Sequence, residues 1–149
     1  EATLAADPGS RHAVLVEGLA DVIPADGRPF LRSVMEDAVQ SLADQGVALA
    51  CKGRLAEARD LFSRALGSGM RPLQSLWNLA VLDAREGRLE DSVARYARTR
   101  DRADDGARPL IERELAAVRA RLRGEDGPDL RTEPVPFGEG TFHDPNPLG

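Results

Sequence analysis

The chain holds one cysteine, two histidines and few aromatic rings: four Phe, one Trp and one Tyr among 149 residues. Each scarcity removes a class of function. A lone Cys51 cannot close an internal disulfide, and a free thiol fits a reducing interior, which favours the cytoplasm while leaving localisation open. Cys51 stands at an alanine-rich helix end with no histidine near it, and it reads as a buried or inert thiol rather than a nucleophile. His12 and His143 lie at opposite ends of the chain, with no HExxH, CxxC or GxSxG motif and no glycine-rich phosphate loop. No catalytic, metal or cofactor-binding residue is therefore assigned, and the chain is not expected to be an enzyme. Long apolar runs are missing too. The best of them, AVLVEGLADVI, is short and broken by Glu17, Gly18 and Asp21, whereas a membrane span needs about 20 apolar residues. A net charge of -5 argues against nucleic acid as a partner, because neutralising phosphates takes a clustered positive excess. The positive charge is carried almost wholly by arginine, with Lys52 the only lysine.

What the sequence does have is a period. GVALACKGRLAEARDLFSRA is answered 34 positions later by AVLDAREGRLEDSVARYART, so that Gly53 falls on Gly87, Leu55 on Leu89 and Phe62 on Tyr96. Leu42 pairs with Leu76, Val47 with Val81 and Ala50 with Ala84, while small residues recur as Gly46 and Ala80, then Ala58 and Ser92. That length suits a helix, a tight turn and a second helix, a unit that buries its apolar face only by stacking on a copy of itself.

In this register the pattern resembles the tetratricopeptide (TPR) repeat family, through Leu42, Gly46, Gly53, Ala58, Phe62 and Ala65, then Leu76, Ala80, Gly87, Ser92, Tyr96 and Thr99. The resemblance implies an all-α TPR-like helical-hairpin solenoid of about six helices, with repeats at about 39–72 and 73–106. It departs from the family where Met70 and Asp104 stand in place of the closing proline. Leu110 continues the spacing of Leu42 and Leu76 and opens a capping helix over 109–123.

Helix boundaries follow from punctuation. Residues 11–23 suit a short amphipathic helix ended by Pro24, and Pro29 suits the first turn of a long helix over about 29–51. Its apolar contacts are expected from Leu31, Val34, Met35, Ala38, Leu42 and Leu49. Gly53-Arg54 and Gly87-Arg88 make equivalent turns, and Pro72 and Pro109 open later helices. Asp83, Glu86, Glu90 and Asp91, set among arginines at helical spacing, read as a solvated ion-paired surface.

The function implied by the resemblance is protein binding on the concave face lined by the first helix of each repeat. The positions that map there are Gln40, Ala43, Asp44, Val47 and Cys51, then Gln74, Trp77, Asn78, Val81 and Arg85, then Arg108, Ile111, Glu112 and Leu115. The expected partner-binding set is Gln74, Trp77, Asn78, Val81, Arg85 and Arg108. Trp77 offers a stacking face, Asn78 an amide for an extended backbone and Arg85 a fork for a carboxylate; alternatively, Trp77 packs against the long preceding helix. The clamp by which co-chaperones of this family grip a C-terminal carboxylate is not intact, since Ala43, Val47 and Glu112 occupy its places beside Asn78 and Arg108.

Residues 1–123 thus form the helical domain and 124–149 an extended tail or linker. The tail, GEDGPDLRTEPVPFGEGTFHDPNPLG, is too rich in proline and glycine to build a core of its own. It is expected either to hang loose, dispensable for folding, or to dock on this domain or a partner through Leu130, Val135, Phe137 and Phe142. The functional expectation is a scaffold or adaptor whose shallow two-repeat groove an oligomer or larger complex would complete, with a noncatalytic regulatory or accessory part of a larger enzyme or assembly as the alternative.

Overall fold

The computed structural model describes residues 28–137, which form five helices and no strand. They are α1 (Arg28–Cys51), α2 (Leu55–Gly67), α3 (Pro72–Arg85), α4 (Leu89–Arg102) and α5 (Arg108–Leu122), each packed against the next. The helix expected over 11–23, His12, Phe142 and His143 lie outside the described residues.

The turns between helices obey one rule. Gly53 and Gly87 have φ of 80° and 81°, a left-handed conformation that costs glycine nothing and other residues about 1 kcal/mol or more. At each turn the glycine N–H donates to a carbonyl three residues back, Gly53 to Ala50 at 3.0 Å and Gly87 to Ala84 at 3.1 Å. The next N–H reaches five residues back, Arg54 to Leu49 at 2.9 Å and Arg88 to Asp83 at 2.8 Å. These bonds satisfy carbonyls that the helix end would otherwise leave unpaired. Gly124, with φ of 71°, ends α5 in the same way, through Gly124 to Arg121 and Glu125 to Ala120.

That third turn falls 37 residues after Gly87, so the 34-residue spacing does not carry through α5. The three extra residues are shared, one each, by α4, the α4–α5 connection and α5, compared with α2, the α2–α3 connection and α3; in the connection the Asp104 carboxylate accepts the Gly106 and Ala107 N–H groups at 3.1 and 2.9 Å and leads into α5. Leu110, expected to continue the leucine series, is consequently only half-buried, and its neighbour Ile111 is fully enclosed.

Small residues stand where helices come close. A Cβ at Gly46 would lie 2.8 Å from the Phe62 ring, so glycine lets that ring rest on the α1 backbone. Ala58 and Ser92, one repeat apart, are both fully buried, and the Ser92 hydroxyl donates to the Ala80 carbonyl at 2.8 Å. The long helix meets its partners through Leu31, Val39, Leu42, Ala43 and Ala50, while Val34, Met35, Ala38 and Leu49 are half-buried.

The apolar core follows chain order in three clusters. Val39, Leu42, Ala65 and Met70 form the first, and Ala50, Ala58, Phe62, Leu79 and Leu82 the second. The third and largest gathers Trp77, Val81, Tyr96, Ile111, Leu115 and Val118 from α3, α4 and α5, and with them Val135 from beyond the last helix. Helix α3 is central: every residue from Pro72 to Ala84 is buried.

Candidate functional site

A helix buried on all sides needs cover beyond its two neighbours, and α3 receives it from the segment after α5. Residues 125–137 carry no helix or strand. The segment turns back along α5, its Gly127 so near that a Cβ there would stand 2.8 Å from the Ala120 side chain. Four residues further on, Arg131 donates through Nε to Glu114 Oε2 at 2.8 Å. The chain then crosses to α3. Val135 N–H donates to Asn78 Oδ1 at 2.6 Å, and Asn78 Nδ2 donates to the Val135 carbonyl at 3.1 Å. Phe137 closes the contact edge-on to the Trp77 ring, with centroids 6.1 Å apart and planes at 86°, a favoured aromatic geometry.

The local sequence explains the fit. Pro134 and Pro136 flank Val135, and each proline biases the residue before it towards extended backbone while contributing no N–H. Val135 therefore carries the one main-chain donor of the triplet, and Asn78 takes it together with the carbonyl of the same residue. Pro134 and Val135 are buried, whereas Thr132, Glu133 and Pro136 face solvent.

Glu114 is the polar centre. Its Oε1 accepts Trp77 Nε1–H and Tyr96 O–H, both at 2.9 Å, while Oε2 takes Arg131. Three donors and an arginine charge compensate the burial of this carboxylate, which is only 6% exposed. Burial, followed by the charge and hydrogen bond of Glu114, raises the Tyr96 hydroxyl pKa above its ordinary value, so Tyr96 stays a donor.

Gln74, Trp77, Asn78 and Val81 are therefore brought together, all buried on α3. The apolar cluster that holds Trp77 draws on α3, α4, α5 and the returning segment, and no residue of the long helix belongs to it. Arg85 and Arg108 stand apart from this group. Arg85 donates to the Ala50 carbonyl at 3.1 Å, closing the end of α1, and Arg108 donates to the Ala103 carbonyl at 2.7 Å beside Asp105. Glu112, placed on the binding face in the sequence reading, is exposed, and Glu114 is the inward carboxylate of α5. Glu114 shares the stripe of Ile111, Leu115 and Val118 at helical spacing, a signal the charged neighbours obscure. Arg131 has no comparable signal in its own segment.

Of the positions mapped on α1, Ala43 is buried, Gln40 and Val47 are half-buried, and Asp44 and Cys51 are exposed. Gln40 and Asp44 line a shallow depression of about 410 Å³ with Asp37, Ser41, Gln45 and Ala48. Gln40 there donates to Asp44 at 2.8 Å and accepts from Arg71 at 3.2 Å. Cys51 is exposed rather than buried.

A second buried charge lies between the hairpins. Asp83, read from sequence as solvated, is 1% exposed and paired with Arg59 at 2.8 Å and Arg95 at 3.4 Å; Arg59 also reaches Glu86 at 2.7 Å. Burial raises the Asp83 carboxyl above its ordinary pKa, and the two arginines offset that only in part. Burial also opposes the Arg59 charge, but Glu86 and Asp83 hold its pKa above the ordinary value.

Among the described residues no group of three His, Cys, Asp or Glu side chains is placed to hold a metal ion, and no helix is long and apolar enough to cross a membrane. Comparison with protein-family models, curated proteins and solved structures returns no match for this chain, so the reading of the site rests on its geometry.

Proposed function

We propose that this chain is a protein-interaction module of TPR-like helical hairpins, in which the face shared by α3 and α5 binds an extended stretch of polypeptide. One observation carries the reading: the Asn78 carboxamide engages the N–H and the carbonyl of a single residue, a contact indifferent to that residue's side chain and suited to backbone capture. Around it stand an aromatic wall, Trp77, and a carboxylate for a cation, Glu114. Here the face holds the chain's own segment; the module's work is to hold a partner's segment of like form.

Affinity capture from native extract tests this with the wild-type chain and Asn78→Ala in parallel, both checked for helical content. Partners retained by the wild type and lost by Asn78→Ala support the reading. Equal capture by both would move the interaction away from this face.

A further inference from the structure

The segment seated on α3 and α5 states the chemistry of what the face accepts. Three of its side chains meet complementary groups: Arg131 meets the Glu114 carboxylate, Val135 enters the apolar cluster while its backbone is held by Asn78, and Phe137 meets the Trp77 ring at nearly a right angle. We propose that Leu130–Phe137 is an exchangeable internal ligand, displaced by a partner peptide carrying arginine, an aliphatic residue four positions later and an aromatic two positions after that, with prolines flanking the aliphatic. This rests on the peptide-binding reading and adds to it the identity of the ligand and its regulation.

Several features mark the segment as detachable. Gly124 through Asp129, which join it to α5, are all exposed. The segment contributes no residue to any helix, so its departure breaks no helical hydrogen bond. Among the groups it leaves behind, the Asn78 amide and the Glu114 carboxylate are polar and bond to water in its place, while the apolar cluster around Trp77 loses the cover of Val135 and Phe137. Its polar grip is a pair of bonds to the Val135 main chain and one ion pair with a partly exposed arginine, and its apolar grip is Val135, with Leu130 and Phe137 packed against the same cluster.

A short tether holds the internal ligand at an effective concentration on the order of millimolar. A free peptide of equal intrinsic affinity therefore sees only the small fraction of molecules whose face is open, and its apparent affinity falls by that fraction. Any change that weakens the internal segment without touching α3 or α5 raises that fraction. The device is self-limiting: a partner binds when its contacts are better than the internal ones or when the segment is drawn away.

The experiment uses the full chain, whose single tryptophan, Trp77, reports the site directly. Wild type, Phe137→Ala and Arg131→Ala are titrated with three synthetic peptides: DLRTEPVPF, which copies residues 129–137, the same composition scrambled, and DLETEPVPA, which replaces the arginine and the aromatic. Circular dichroism verifies that each variant is folded, and Arg131→Ala serves where Phe137→Ala is not. The expected result is binding of DLRTEPVPF at least about tenfold tighter to the variants than to wild type, with the other two peptides much weaker. Equal binding of all three peptides would overturn the stated ligand and leave backbone capture standing. Failure of all three on a folded variant whose Trp77 emission shows the segment released would overturn both. If the variants bind DLRTEPVPF no better than wild type does, the segment is not a competitor and the proposal falls. A concentration-dependent dimer that resists the peptide would likewise overturn it, in favour of segment exchange between two copies.

Discussion

The Asn78 carboxamide and the Val135 main chain, 57 positions apart, exchange two hydrogen bonds in a buried setting, each donating one and accepting one. An unpaired buried donor or acceptor costs about 1 to 3 kcal/mol. Asn78→Ala leaves both Val135 groups without their partner, and water entering the gap recovers part of that. The expected loss is about 1 to 3 kcal/mol of unfolding free energy, measured by urea denaturation. A variant as stable as wild type would mean that the fork contributes nothing net.

Removing residues 128–149 strips Val135 and Phe137 from the third core cluster and Arg131 from Glu114. Burying a valine side chain alone is worth about 1.5 to 3 kcal/mol. The truncated chain should keep its helical circular dichroism per helical residue but melt at a lower temperature, with Trp77 emission shifted to the red. An unchanged melt would restore the reading of this segment as dispensable.

Glycine at three helix ends makes a quantitative comparison possible. Gly53, Gly87 and Gly124 all have positive φ, and a Cβ at each would meet nothing within 4 Å, so alanine there adds backbone strain without collision. Each alanine variant should lose about 1 kcal/mol by chemical denaturation. Gly46→Ala is different in kind, because its Cβ collides with Phe62; the expected cost is about 1 to 3 kcal/mol of overpacking. If Gly46→Ala proved harmless, the close seat of Phe62 on α1 would be wrong.

The helices and their turns were legible because glycine and proline punctuate them: Gly53 and Gly87 close turns, and Pro72 opens α3 at its first position. Asn78 was legible as an amide aimed at a backbone. Glu114 was not, because it sits among Glu112, Arg113 and Arg119 on a helix that reads as charged throughout. Its burial depends on donors from three other parts of the chain: Trp77 on α3, Tyr96 on α4 and Arg131 beyond α5. Composition likewise hid the returning segment. Counting aliphatic residues undervalues a stretch whose docking depends on one main-chain fork and on prolines that pre-extend it. Asp83 failed for a related reason, since spacing on α3 shows the charge but not the arginines of α2 and α4 that enclose it.

Asp83 supplies the last prediction. A carboxyl whose folded pKa stands above its unfolded value binds its proton more tightly in the folded chain. Its ionised form therefore detracts from stability in full above the folded pKa, and the deficit is relieved as pH falls through that pKa towards the unfolded value, near the ordinary 3.8. Asp83→Asn is neutral at every pH and escapes this dependence while losing a fixed amount of pairing with Arg59 and Arg95. The stability of the asparagine variant relative to wild type should consequently be most favourable near neutral pH and decline through the mildly acidic range. Paired urea melts of the two proteins at pH values from neutral down to about 4 measure that difference directly. A difference that grew on acidification would mean that the arginines outweigh burial, and that Asp83 is held below its ordinary pKa by the ion pairs around it.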